Sequence, residues 1–266
     1  MKDALKGKTA LVSGASSGIG AQVARDLAAR GARVLLVARR RDRLVTLKKE
    51  IENSGGQVQF FVCDLEDAAA RADLIREILK QANPIDILVN NAGFGWYGYY
   101  ADMPLEIRNS LLKINIEAML DLTSALLPGM RERAAGHIIN IGSIAGGLPN
   151  QGIAMYAASK AFMDAFSTSL YREMKGSGVC ISVLRLGPVK TEFFEHARQL
   201  PNGGSVPAER FSISVQRASR GVLRLLRTRR RYLYVPGMMG VIPLLALLFG
   251  GVIDMLGPLL LKRKAG

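Results

Sequence analysis

Tyr156 and Lys160 stand four residues apart, a spacing that puts both on one face of a helix. A phenol has a pKa of about 10 in water, so alone it moves few protons at neutral pH. An ammonium held beside it favours the phenolate and lowers that pKa, as a proton-transferring tyrosine requires. The same pattern recurs at Tyr171 and Lys175, 15 residues further on, or about 22 Å along a helix. Ligands of open α/β sheets sit at the carboxyl ends of the strands, where the following helices begin. Tyr156 is near such a beginning and Tyr171 near the far end, so the second pair is expected to be ordinary helix surface. Ser143 directly follows the apolar run 137–141, within Ile141-Gly142-Ser143-Ile144-Ala145-Gly146-Gly147. A hydroxyl at that strand end can hydrogen-bond a substrate oxygen as charge develops on it. Taken alone, it is as readily a turn residue.

A second group of residues expects a phosphate. The first apolar run leads straight into Ser13-Gly14-Ala15-Ser16-Ser17-Gly18-Ile19-Gly20, and a helical stretch follows. Glycines let the backbone approach a pyrophosphate, and the helix N-terminus supplies free N–H groups and a positive dipole end. The spacing is G-x-x-x-G-x-G, not the commoner G-x-G-x-x-G, and a tight strand-to-helix turn is the plainer account of such a loop. A unit binding NAD carries Asp or Glu after its second strand to hold the ribose 2′-hydroxyl. Here the run ends Ala38-Arg39-Arg40-Arg41, with no acid before Asp42. Cations at a helix N-terminus oppose the macrodipole unless an anion is near, and the 2′-phosphate of NADP would be that anion. Arg39 and Arg40 therefore point to NADP(H), against the alternative of a solvated basic face.

The elements that must position these residues follow from periodicity. Short β-branched or apolar runs at 9–13, 33–38, 58–62, 85–90, 137–141, 179–184 and 232–235 alternate with amphipathic stretches near 19–30, 41–54, 67–81, 104–128, 155–175 and 213–227. That alternation predicts βαβ units: an α/β fold with a doubly wound, seven-stranded parallel sheet and helices on both faces. Leu200-Pro201-Asn202-Gly203-Gly204-Ser205-Val206-Pro207 reads as a flexible insertion after a strand, suited to a lid.

With these motifs in hand, the chain resembles the short-chain dehydrogenase/reductase family. The resemblance rests on Gly14-Ala15-Ser16-Ser17-Gly18-Ile19-Gly20, Asp64-Leu65, Asn90-Asn91-Ala92-Gly93, Ser143, Tyr156-Ala157-Ala158-Ser159-Lys160 and Gly187-Pro188-Val189-Lys190-Thr191, in family order over about residues 7–235. It implies a Rossmann-type sheet and hydride transfer between NADP(H) and a carbonyl or hydroxyl. Tyr156 would pass the proton, Lys160 would lower the tyrosine pKa and bind the nicotinamide ribose, and Ser143 would orient the carbonyl. Asn115 would kink its helix and hold a water linking Lys160 to solvent. Asp64 and Leu65 would meet the adenine, Asn91, Ala92 and Gly93 the adenosine ribose and the sheet, and Val189 and Thr191 the carboxamide. A homo-oligomer, dimer or tetramer, is also implied. Leu186 departs from the proline often found before Gly187, which is expected to loosen that turn.

Composition narrows the rest. The 266 residues are 49% hydrophobic, enough for a sizeable core, and carry a net charge of +14. The aromatic-interleaved basic stretches of RNA-binding modules are missing, so nucleic acid is not an expected partner. No C-x-x-C pair or His/Asp/Glu cluster has metal-ligand spacing. Cys63 and Cys180 lie in apolar runs and read as buried thiols, and lone His137 and His196 read as structural or solvated. The start lacks the apolar core of a signal peptide, which predicts a cytoplasmic chain. Phe94, Trp96, Tyr97, Tyr99 and Tyr100 either line an apolar pocket or cover a helix junction.

Residues 1–235 are expected to form one domain and 236–266 a hydrophobic extension. From Tyr232 to Ile253, 22 residues pass without charge, roughly 33 Å of helix. Pro236, Pro243 and Pro258 divide that stretch, and basic residues flank both ends. An in-plane or re-entrant attachment to an anionic membrane surface, on its cytoplasmic face, fits better than a span, and is preferred over packing in the core or in an oligomer interface. Arg217, Arg220, Arg224 and Arg227 recur at helical spacing just before it, a basic face that suits such a surface or simply meets water. The substrate class expected from this apolarity is a lipophilic carbonyl: 3-oxoacyl, steroid, retinoid or sphingoid-like. The rival is a non-catalytic NADP(H)-binding sensor or membrane scaffold, which has no need of all four of Asn115, Ser143, Tyr156 and Lys160.

Overall fold

The seven apolar runs become β1 (Thr9–Ser13), β2 (Arg33–Ala38), β3 (Gln57–Val62), β4 (Ile87–Asn90), β5 (Gly136–Ser143), β6 (Val179–Leu186) and β7 (Tyr232–Val235) in a computed structural model. The structure describes residues 4–80 and 83–260. The helices are α1 (Gly18–Ala28), α2 (Arg41–Asn53), α3 (Ala68–Leu79), α4 (Leu105–Leu112), α5 (Ala118–Glu132), α6 (Ala154–Glu173), α7 (Phe193–Gln199), α8 (Val215–Thr228) and α9 (Ile242–Leu260). All strands pair in parallel, in the order β3-β2-β1-β4-β5-β6-β7.

A parallel sheet is covered on both faces, which is why its strands read as almost unbroken apolar runs. The period of two still sorts them: Val34 and Leu36 of β2 face one core, Leu35 and Val37 the other. The first core is closed by Leu27 of α1, Leu44 of α2 and Val222 of α8. The second is closed by Leu74 of α3, Leu122 of α5 and Leu170 of α6. The helices thus lie on both faces, as expected.

Three details differ from the pattern read in sequence. The stretch near 104–128 is not one helix: a π-helical turn, Lys113–Glu117, separates α4 from α5. Leu186 does not loosen its turn; it extends β6 by pairing with Ser143 and Val235, which a proline, lacking an N–H, suits poorly. Finally, Pro243 and Pro258 do not divide the extension. Pro243 sits in the first turn of α9, where a missing N–H costs little, and the one non-helical residue inside α9 is Phe249 (φ −118°, ψ 22°). Among the described residues no helix is long and apolar enough to cross a membrane.

Candidate active site

The chain leaves β1 and β4 in opposite directions across the sheet, so a crevice opens beyond their carboxyl ends. Ser13 ties its two walls together. Its Oγ accepts from the N–H groups of Asn91 (3.0 Å) and Ala92 (3.1 Å), while Asn91 Nδ2 donates to the carbonyls of Ser13 (3.0 Å) and Gly14 (3.1 Å). The loop between needs glycine. Gly14 and Gly18 hold φ of +64° and +56°, and a Cβ on Gly20 would stand 2.4 Å from the Gly14 carbonyl oxygen. Gly20 therefore serves the loop's packing and does not itself face the crevice.

Beyond this loop lies Arg40. Its guanidinium donates to Ser16 Oγ (3.2 and 3.0 Å), to Ser17 Oγ (2.7 Å) and to Glu192 (2.8 Å). Arg43 also pairs with Glu192, and the two arginines hold that carboxyl well down, at about 2. Glu192 is thus the anion that offsets the cations at the start of α2 in this structure. Arg39 lines the same crevice and is exposed.

The opposite wall carries the candidate proton-transfer groups. Ser143 ends β5, its Oγ accepts from Ala145 N–H (3.1 Å), and it lines the cavity together with Tyr156. Gly146 lets the chain pass directly over α6: a Cβ there would meet Lys160 backbone carbon at 2.8 Å and Ala161 nitrogen at 2.9 Å. That close approach brings the strand end against the first turns of the helix. Lys160 Nζ is buried, donates to the Ile141 carbonyl (2.9 Å) and stands 5.8 Å from the Tyr156 ring centroid.

Asn115 sits in the π turn. Its Oδ1 accepts from Phe94 N–H (3.0 Å), and its Nδ2 donates to Phe94 carbonyl (3.0 Å) and Ser159 Oγ (3.1 Å). Ser159 in turn donates to the Tyr156 carbonyl (2.7 Å). The π turn is the irregularity expected at Asn115, and it locks the segment after β4 to α6.

The electrostatics differ from the simple expectation. Tyr156 stands above its ordinary value because burial outweighs the lowering influence of the nearby Ser143 hydroxyl, and Lys160 is not among the causes that lower it. Burial also lowers Lys160, to about 8, opposed by the charge of Asp164 one turn on. Burial thus disfavours the charged form of both groups, the phenolate and the ammonium alike.

All the residues assigned to catalysis or cofactor binding from the sequence line one cavity of about 630 Å³, except Gly20 and Asn115, which pack behind it. Tyr171 and Lys175 do not line it. The aromatic cluster divides: Phe94 and Trp96 line the cavity, and Tyr99 and Tyr100 are exposed. The segment 200–207 packs on this cluster, with Trp96 Nε1 donating to Pro201 carbonyl (3.0 Å) and Gly204 N–H to Tyr97 carbonyl (2.7 Å). Val206 brings it to the cavity wall.

Several residues escaped the sequence reading. Glu192, next to Thr191, had no motif of its own. His196 of α7, read from sequence as structural or solvated, instead lines the cavity, and burial lowers its pKa, as do Arg39 and Arg40. Arg71 is 3% exposed; it donates to Leu65 carbonyl (2.8 Å), Glu117 (3.1 Å) and Asp121 (2.7 Å), joining the Asp64-Leu65 turn to the π turn. An arginine at the apolar spacing of Leu74 and Ile78 was the available signal. His137, by contrast, is plainly structural: buried against Ser182 Oγ (2.8 Å), with its pKa lowered to about 3.

Comparisons with known proteins agree with this geometry. A family model described as short chain dehydrogenase matches residues 8–201. A short chain dehydrogenase of Pseudocercospora fijiensis is 38% identical over 190 residues, covering 71% of this chain and 62% of that one. A fatty acyl-CoA reductase of Acinetobacter baylyi is 38% identical over 198 residues, covering 71% and 65%. The chain thus spans less than two thirds of the length of these two relatives. A short-chain dehydrogenase from Sphingobium yanoikuyae, solved in complex with NADPH, superimposes with a TM-score of 0.80 at 28% identity, over 97% of this chain and 98% of that one. Family match, strand order and crevice converge: the chain belongs to the short-chain dehydrogenase family, and its fold is that of the family's oxidoreductases.

Proposed function

We propose that this chain is an NADP(H)-dependent oxidoreductase that interconverts a carbonyl and a hydroxyl on a lipophilic substrate, with Tyr156 as the acid–base group. The observation that carries this reading is that Tyr156, Ser143 and buried Lys160 line the same cavity as the Arg40–Ser16–Ser17 cluster.

The donor set fits a nucleotide with an extra phosphate. Arg40, Ser16 and Ser17 present a guanidinium and two hydroxyls at the N-terminus of α1, where the dipole also favours an anion. Asp64 and Leu65 would border the adenine, Asn91 to Gly93 the ribose, and Val189 and Thr191 the carboxamide, as all of these line the cavity. When bound, the nicotinamide supplies or takes up the hydride. Tyr156 Oη gives its proton to the substrate oxygen, or takes it back in the reverse direction, while Ser143 Oγ holds that oxygen in place. Lys160, with a pKa of about 8, exchanges protons close to neutrality and can recharge the phenol. Asn115 acts through others: it fixes the Phe94 backbone and Ser159, and through Ser159 the first turn of α6. Phe94, Trp96, Leu148 and Phe193 give the cavity apolar walls, which favours a lipophilic ketone, and the fatty acyl-CoA reductase relative is in keeping with that.

The test is consumption of NADPH and of NADH with a panel of lipophilic ketones and 3-oxoacyl thioesters. Wild type should turn over at least one class with a preference for NADPH, and a variant carrying Arg39→Asp and Arg40→Ser should shift that preference toward NADH. Tight NADPH binding without turnover on any panel member would favour a redox-inactive sensor instead.

A further inference from the structure

The second arginine-rich segment has no part in that site. Between Glu209 and Asp254 the chain holds eight arginines and no acid. Arg217, Arg220 and Arg224 project from the exposed side of α8, because Ala218, Val222 and Leu225 bury the other side. With Tyr232, Tyr234 and Gly237 they line a second cavity of about 510 Å³. No described residue pairs with these three guanidinium groups. Arg185, just behind the tyrosines, is in contrast fully engaged: it donates to Asp164 (3.0 Å) and Tyr234 Oη (2.6 Å) and lies over both rings.

The extension starts at the rim of this cavity and continues beside the active-site mouth. Met239 packs on Gly187, and Pro243 packs on Gly147, in the two segments that follow β6 and β5. From there α9 presents Leu244, Leu247, Leu248, Phe249, Val252 and Met255 to the outside, with Leu247 81% exposed. An apolar helix left open on this scale marks a binding surface. Its charge decides the partner. A twofold contact between copies would set two rows of unpaired arginines against each other. An anionic leaflet meets both needs, taking the apolar side chains into its acyl boundary and the guanidinium groups onto its phosphates.

We propose that this face docks on an anionic phospholipid bilayer, with a headgroup phosphate in the Arg217–Arg220–Arg224 cavity and α9 in the interface beside the active-site mouth. The inference needs only binding, so it stands or falls apart from the catalytic reading.

Sedimentation of the full chain with phosphatidylcholine vesicles, with and without phosphatidylglycerol, tests it. The chain should partition onto the phosphatidylglycerol vesicles, and added salt should weaken that partition steeply. Arg217→Gln, Arg220→Gln and Arg224→Gln should each weaken it about fivefold. Leu247→Asn with Leu248→Asn, both at exposed positions, should weaken binding to either vesicle type. Partition indifferent to phosphatidylglycerol, salt and the arginines would overturn the proposal. So would a concentration-dependent dimer that shields α9 and abolishes vesicle binding.

Discussion

Tyr156 and Lys160 in the first two turns of α6 are the same residue types, at the same spacing, as Tyr171 and Lys175 at its other end. Their surroundings share almost nothing. The first pair faces a cavity beside Ser143, with Lys160 donating to the Ile141 carbonyl, and has both ionisations displaced by burial. Tyr171 leans on the edge of the core under the sheet, and Lys175 lies exposed beyond the last residue of the helix. The difference is one of depth along a single helix. Strand ends meet α6 only at its start, because a doubly wound sheet opens on the carboxyl side of its strands. Spacing along a helix makes two side chains neighbours; the end of the helix they occupy decides whether they meet anything else.

That contrast can be broken most sharply at the two phenols. Tyr156→Phe should lower turnover by about 10²–10⁴-fold, the usual weight of a positioned acid–base group, while leaving NADPH binding in a fluorescence titration near wild type. Tyr171→Phe should leave turnover unchanged and stability within about 0.5 kcal/mol. Comparable activity losses in the two variants would show that position on the helix does not separate them.

The next largest effect concerns Lys160. Its folded-state value of about 8 lies below the ordinary 10.5, so between these values the unfolded chain holds a proton that the folded chain has released. Stability from this group therefore rises with pH across that window, by roughly 1 kcal/mol per pH unit, and its full cost is borne below pH 8. Urea melts of wild type and Lys160→Met at intervals from pH 7 to 10.5 should show a difference that narrows as pH rises. A constant difference would mean that burial does not displace the lysine. The smallest effect is expected at Lys175→Met, which should alter neither turnover nor the pH dependence of those melts.

The two arginine rows repeat the contrast on a larger scale. Arg40 and Arg43 at the start of α2 find Glu192, Ser16 and Ser17, whereas Arg217, Arg220 and Arg224 on α8 find no partner among the described residues. Both rows were visible in the sequence as excess charge. Only the first lies where another loop crosses it.

Much of this molecule was legible from residue pattern alone. Apolar runs alternating with amphipathic stretches specify parallel strands and the helices that cover them, because a strand buried on both faces admits little else. The glycine loop was legible for a similar reason: a backbone held at positive φ, with a carbonyl 2.4 Å from where a Cβ would stand, tolerates almost no other residue type. What the tertiary structure alone decided are contacts between segments far apart in the chain. Glu192 reaches Arg40 across 152 positions, Arg71 spans 50 to Asp121, and Asn115 spans 44 to Ser159. No local period encodes such pairs. The direction of the Tyr156 shift was likewise beyond the sequence, since it depends on how much protein surrounds the phenol and not on having a lysine four residues away. Local rules chose the elements and the residue types at their ends, and only packing of the whole chain set the burial and distance on which their chemistry depends.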